Sequence, residues 1–241
     1  QLWDALVALA AAGLDFEAAA GHGYRLHRPV ELLDEGRIRA ALTPSARAAL
    51  TAMEVLDEVD STNRRLLDGA RAGLGSGIVC LAECQTAGRG RRGRRWVSPY
   101  AANLYLSLLW ELPGAADPAA LGLACAIAVA RAAGRAGVAA IGLKWPNDVI
   151  WQGAKLGGLL LESVPRGGGH AVVMGVGLNV LMPRVEWGGI GQPGTDLQTA
   201  AGGPVSRNAV AAGLRYLLCS AVRRFQADGL APFVEQWREY E

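Results

Sequence analysis

Apolar residues recur along this chain with two spacings, and the change from one to the other divides it. Leu2, Leu6 and Leu9, with Val7 beside them, follow the period of a helix that stops at Gly13. Leu14 to Glu17 and Tyr24 to Leu26 flank Gly21-His22-Gly23, the pattern of two short strands joined by a tight turn. Pro29 to Thr43 reads as a connector with one short amphipathic helix around Ile38. From Met53 onward short apolar strands alternate with helices. Strands are expected at Met53–Val59, Ile78–Cys84, Asn103–Trp110, Ile141–Lys144, Val149–Trp151, Leu156–Ser163 and Ala171–Val180. One helix, carrying Leu66 and Leu67, is capped by Asp60-Ser61-Thr62; others cover Pro118–Ala136, Ser206–Ala227 and Ala231–Trp237. Strands interleaved with a few helices make an α+β domain around a mixed β-sheet packed with helices, over residues 46–241.

Composition adds less than pattern. The 241 residues are 51% hydrophobic with a net charge of only +2, so nothing pulls the whole surface toward nucleic acid. Four scattered cysteines in apolar stretches read as small buried residues, and a reducing cytoplasm is the expected compartment. No signal peptide is evident. The longest apolar run, Leu121 to Ala133, is broken by Gly122 and carries Arg131, so no membrane span is expected. The sequence opens at Gln1 inside a helical pattern, and a preceding N-terminal piece is expected.

The basic character is local. Gly88 to Arg95 puts five arginines and three glycines into eight residues, and Trp96 closes the run. Glycines let a backbone fold tightly over a compact ligand while guanidinium forks meet a carboxylate or phosphate. A solvated loop and an arginine-rich nucleic-acid patch are the competing readings; such patches usually carry several interleaved aromatics. Arg89 and Arg91 would point from one side of the loop if its backbone is extended there. Lys144 ends an apolar strand before Trp145-Pro146-Asn147-Asp148, and a lysine at a buried strand end needs a partner for its charge. Glycines at Gly157, Gly158, Gly175 and Gly177 mark places where backbone must come near something, or else a bulge.

Four blocks in this order, Gly88–Trp96, Lys144–Asp148, Lys155–Gly158 and Gly175–Asn179, resemble the catalytic domain of biotin-protein ligases. The resemblance implies activation of biotin with ATP and Mg²⁺ to biotinyl-5'-AMP, then transfer to a lysine of a biotin carboxyl carrier protein. It assigns biotin contacts to Ser61, Thr62, Asn63, Gln85, Arg89, Gly90, Arg91 and Lys144. Nucleotide contacts fall to Gly88, Arg91, Trp96, Asn147, Lys155, Gly157, Gly158 and Asn179. Catalysis rests with Lys144, Arg89, Arg91 and Asp148, the last to orient the acceptor amine or take its proton; Asn147 and Asp148 would hold nucleotide or its magnesium, and no protein metal site is expected. Arg92, Arg94 and Arg95 are left to solvate the loop.

The same resemblance makes residues 1–45 a partial winged helix-turn-helix remnant, with His22 and Arg25 near the wing tip, plus a linker. A plain helix-and-hairpin subdomain is the alternative. Operator DNA, with the adenylate as corepressor, and a homodimer are further implied partners; an SH3-like C-terminal domain is not seen. Trp187 is the only aromatic in the loop after Asn179 where the family often covers the adenine. Rival readings are a lipoate or octanoate ligase or transferase of the same fold, a DNA-binding regulator only, and an arginine-rich interaction module. The transferase would need a nucleophilic cysteine, for which Cys80 and Cys84 lack a nearby Lys or His.

Overall fold

The computed structural model describes residues 2–11, 14, 16–19, 21, 23–26, 30–114, 117–183 and 191–240. Gly13, His22 and Trp187, each given a part above, lie outside the described residues. Helix α1 (Leu2–Ala11) precedes an antiparallel hairpin of β1 (Phe16–Ala19) and β2 (Gly23–Leu26). Arg25 is ion-paired with Glu17 on the facing strand.

The connector carries its expected helix around Ile38, and a second short helix follows directly after Thr43. In α2 (Glu35–Ala40) the Asp34 carboxylate accepts from the Arg37 N–H. In α3 (Pro44–Ala48) Thr43 caps, and Pro44 sits in the first turn where its missing N–H costs nothing. Five residues make less than two turns, too few to leave an apolar period in the sequence. Leu33, Ile38, Leu42, Ala46 and Leu50, on both sides of residue 45, are buried in the main core.

Strands β3 (Ala52–Val59), β4 (Ile78–Gln85), β5 (Leu104–Pro113), β6 (Ile141–Lys144), β7 (Asp148–Trp151), β8 (Ala154–Arg166) and β9 (Gly169–Leu178) form one sheet. Their order is β3-β4-β5-β9-β8-β7-β6. Only β3 and β4 run parallel, and a parallel pair needs a crossover, here α4 (Thr62–Arg71). The mixed sheet with helices on both faces is the expected α+β arrangement.

Alternation along β9 sorts the two faces. Val172, Met174, Val176 and Leu178 enter the main core beneath α5 (Pro118–Arg135) and α7 (Arg207–Asp228). Ala171 and Val173 face the other way and pack with Leu66 and Leu67 of α4. Burying each of those leucines contributes about 1.5–3 kcal/mol. Gly175 and Gly177 continue the second row past the apolar patch of α4, and with no side chains there the sheet leaves a hollow.

By length and composition alone α5 is long and apolar enough to cross a membrane. Its apolar side chains are instead packed in the main core, with Leu121, Cys125, Ile127 and Val129 at 0–1% exposure. Two smaller helices follow β9. Helix α6 (Leu197–Ala201) starts on the Asp196 carboxylate and stops at Gly202 with φ 72°. Helix α8 (Ala231–Arg238) leads to Tyr240, whose carbonyl accepts from the Leu143 N–H and so pairs part of the edge strand β6.

Behind β4 a buried charge pair clasps residues 31–34. Arg207 lies 2.7 Å from Glu83, both under 5% exposed, and donates to the carbonyls of Asn103 and Glu31. Glu83 accepts from the Leu33 N–H, while Glu31 accepts from Ser206, Asn208 and the Arg207 N–H. Breaking one partner of such a pair costs about 3–5 kcal/mol, since the other charge stays buried.

Candidate active site

The hollow on the α4 face is a cavity of about 1070 Å³. Of the expected site residues, all but Gly88 and Gly157 line it. Its floor is polar and tightly bonded. Ser61 stands at the N-cap of α4, yet its hydroxyl makes no capping bond. Gln85 caps the helix in its place, since its Oε1 accepts from the Thr62 N–H at 2.9 Å and from the Thr62 hydroxyl. Gln85 thus braces β4 against α4, and among the described residues the Ser61 hydroxyl makes no capping bond. Asn63 Oδ1 accepts from the Ser107 hydroxyl, whose oxygen also lies 2.8 Å from that of Thr62. Asn63 Nδ2 donates to the Leu160 carbonyl and to Glu162.

The arginine segment is a small folded hairpin rather than an extended strand. The Trp96 N–H donates to the Gly88 carbonyl and the Gly90 N–H to that of Arg94 at 2.7 Å. A 3₁₀ turn at Arg91–Gly93 forms the tip, with Arg92 at φ 57° and Gly93 at φ 72°. The turn separates two side chains expected to act from one side. Arg89 forks onto both oxygens of Glu162 at 2.6 and 2.8 Å, whereas Arg91 reaches Asn147 Oδ1 at 3.4 Å. Arg89 is thus neutralised, whereas Arg91 makes no ion pair among the described residues.

The glycines have partners of a kind not foreseen. A Cβ on Gly177 would stand 2.4 Å from the Trp96 ring, and one on Gly158 3.3 Å from it. A Cβ on Gly175 would stand 2.0 Å from Asn63 Oδ1. A Cβ on Gly88 would meet the Trp96 carbonyl, and one on Gly157 the Gly177 carbonyl. These glycines admit the Trp96 indole, the Asn63 amide and neighbouring backbone. The Lys155 ammonium sits 5.4 Å from the Trp96 ring centroid, and the indole Nε1 is buried without an acceptor.

On the far wall Lys144 overturns its expected setting. It is exposed, because β6 ends at the cavity mouth, and among the described residues it makes no ion pair. Asp148, its cross-strand neighbour, is held by Lys155 at 2.7 Å. The Asn147 amide donates to the Leu159 carbonyl at 2.8 Å and pins the cis Trp145–Pro146 turn to β8. The Asn179 amide holds the Thr195 carbonyl at 3.0 Å, fixing the segment that enters α6.

Glu162 and Ser107 escaped the sequence reading. Each left a trace: a polar residue at an inward position of an otherwise apolar strand, in Leu160-Leu161-Glu162 and Leu106-Ser107-Leu108. The cysteines are poor nucleophiles. Burial pushes the Cys80 thiol up to about 12 and raises that of Cys84, which Glu58 raises further.

Among the described residues no cluster of three metal-binding side chains exists, and Asp148, the one carboxylate of the lining, is taken by Lys155. The described residues thus offer no three-ligand cage for magnesium. A cation would have to enter on a phosphate-bearing ligand.

Residues 55–179 match the biotin/lipoate A/B protein ligase family. The bifunctional ligase/repressor BirA of Salmonella typhimurium is 42% identical over 232 residues, 95% of this chain and 70% of the relative. A biotin–[acetyl-CoA-carboxylase] ligase of Paracoccus denitrificans is 39% identical over 76% of this chain and 78% of its own length. The biotin protein ligase of Aquifex aeolicus, solved in complex with biotin and ATP, superposes with a TM-score of 0.66 at 27% identity, covering 78% of this chain and 77% of that one.

Proposed function

The chain belongs to the biotin/lipoate A/B protein ligase family, and on that premise we propose that it is a biotin-protein ligase. It joins biotin to ATP and passes the biotinyl group to a lysine of a biotin carboxyl carrier protein, a reaction read here as cytoplasmic. The observation that carries this is one cavity of about 1070 Å³ with a hydrogen-bonding floor at one end and unpaired Arg91 and Lys144 at the other. A ureido ring suits Ser61, Thr62, Asn63 and Gln85, and an acyl phosphate suits the two cations.

Chemistry follows from that polarity. A carboxylate oxygen attacks the α-phosphorus of Mg·ATP, and pyrophosphate leaves. Two anions must approach, so fixed cations from Arg91 and Lys144 lower the barrier; removing one such donor typically costs about 10²–10³ in rate. Arg89, already neutralised by Glu162, anchors the loop rather than contributing net charge. In the second step the lysine nitrogen attacks the acyl carbon, AMP leaves, and the amine gives up a proton. Asp148, held by Lys155, orients that amine. Trp96 and Lys155 form the nucleotide side, the ammonium lying 5.4 Å from the indole centroid.

Pyrophosphate release with ATP and either biotin or lipoate tests the reading. Release with biotin and little with lipoate is expected; equal or reversed preference would move the chain to the lipoate branch. A repressor role, as in the names of the BirA relatives, would rest on α1 and the β1–β2 hairpin. An operator fragment shifted only with biotin and ATP, and a parallel measurement of dimerisation, would test it.

A further inference from the structure

The mouth of the cavity carries more positive charge than its proposed ligand can balance. Arg91, Arg92, Arg94, Arg95 and Lys144 are exposed, and among the described residues none makes an ion pair. The nearby carboxylates Asp148 and Glu162 are each already paired, with Lys155 and Arg89. The 3.4 Å contact from Arg91 to Asn147 sets the loop tip opposite the Trp145–Pro146 turn, so the cations rim one opening. Trp145 stands there 68% exposed, its ring held edge-on against Trp237 at 5.9 Å and 79°.

This inference rests on the ligase reading. Once pyrophosphate has left, five cations face the single phosphate charge of the acyl adenylate. The next reagent is a lysine, cationic in water and repelled by such a rim. Screening over about 8 Å at physiological salt leaves that repulsion effective at contact. A lysine enters readily only if carboxylates beside it meet the arginines first.

We propose that Arg92, Arg94 and Arg95, with the exposed Trp145, form the docking surface for an acidic protein face that presents the acceptor lysine. Carboxylates seat on the guanidiniums, and an apolar side chain lies against the indole. The rim selects its acceptor by charge, and electrostatic attraction speeds encounter more than it tightens the complex.

The test uses the full chain with Arg92→Glu/Arg95→Glu and, separately, Trp145→Ala. Three rates are read: pyrophosphate release with biotin and ATP, transfer to hydroxylamine, and transfer to a purified apo biotin carboxyl carrier domain. The first two should stay within about twofold of the parent. kcat/KM for the carrier should fall by about 10–100-fold in the charge-reversed protein, as expected for two lost pairs plus new repulsion. Salt should slow the parent's transfer to the carrier and, by screening the new repulsion, should not slow that of the reversed variant and should narrow the gap between them. A carrier whose carboxylates beside the lysine are changed to amides should lose its advantage with the parent and lose little more with the variant. Unchanged carrier kinetics in both variants would overturn the proposal. So would a raised KM for ATP with carrier kinetics unchanged, which would give the rim to the triphosphate. Absence of biotin-dependent pyrophosphate release in the parent would instead refute the underlying ligase reading.

Discussion

Replacing Gly177 by alanine adds one methyl group at the most crowded point of the site. That methyl would lie 2.4–2.7 Å from three atoms of the Trp96 ring, against a comfortable carbon–carbon separation of about 3.5–4.0 Å. The indole cannot bend, so it must lift by about 1 Å, away from Gly177 and Gly158 and toward the cavity. Overpacking of this kind costs about 1–3 kcal/mol, which for a chain of this size lowers the thermal midpoint by roughly 2–12 °C. A misplacement of about 1 Å on the nucleotide side is worth up to about 10² in rate. The expected result is a raised KM for ATP, with biotin binding, measured calorimetrically without nucleotide, changed much less. Gly213→Ala is the control. Gly213 lies inside α7 with nothing within 4 Å of the new Cβ, so the same methyl should stabilise by about 0.5–1 kcal/mol. Opposite signs at the two positions are expected from melting curves run side by side. Parental stability and ATP kinetics in Gly177→Ala would refute the seating of Trp96 on the glycine rows.

Other outcomes follow from the same geometry. Glu162→Gln removes the charge that anchors Arg89; the hairpin should loosen, and limited trypsin should cut within Arg89–Arg95 several-fold faster, with no change in rate counting against the anchor. Glu31 sits below its usual 4.5 because, although burial raises it, bonds from Asn208, Ser206 and the Arg207 N–H lower it more. Its contribution is complete above pH 4.5 and fades as pH falls through the folded value, so Glu31→Gln should be less stable than the parent at pH 7 and converge with it in acid. Denaturant midpoints that stay equally far apart in acid would contradict this. Cys80→Ser and Cys84→Ser should keep pyrophosphate release and transfer near parental rates; loss of transfer with either would revive an acyl-cysteine route.

Most of the sheet could be read from the sequence because its strands are continuous apolar runs bounded by turns. Helices α3 and α6 could not, since five residues carry no period. The site was legible as a set of motifs but not as a set of bonds. Gly175 and Gly177 announced a close approach without saying that Asn63 and Trp96 fill it. Arg89 and Arg91 looked equivalent until a turn with Arg92 at positive φ sent one to Glu162 and left the other unpaired. Lys144 looked buried because the residues before it are apolar, and only the ending of β6 at the cavity mouth exposes it.

The clasp around Arg207 means that this enzyme body cannot be shelled out by trimming at the apparent linker. A shortened protein beginning at residue 46 would keep the guanidinium and Glu83 in place but strip away the Glu31 carbonyl, the Leu33 amide and the leucines that roof them. Water would then reach the back of β4, two residues from Gln85 and the floor of the pocket. Such a fragment should melt well below the parent and bind biotin more weakly; if it matched the parent in both, residues 31–42 would be mere tether.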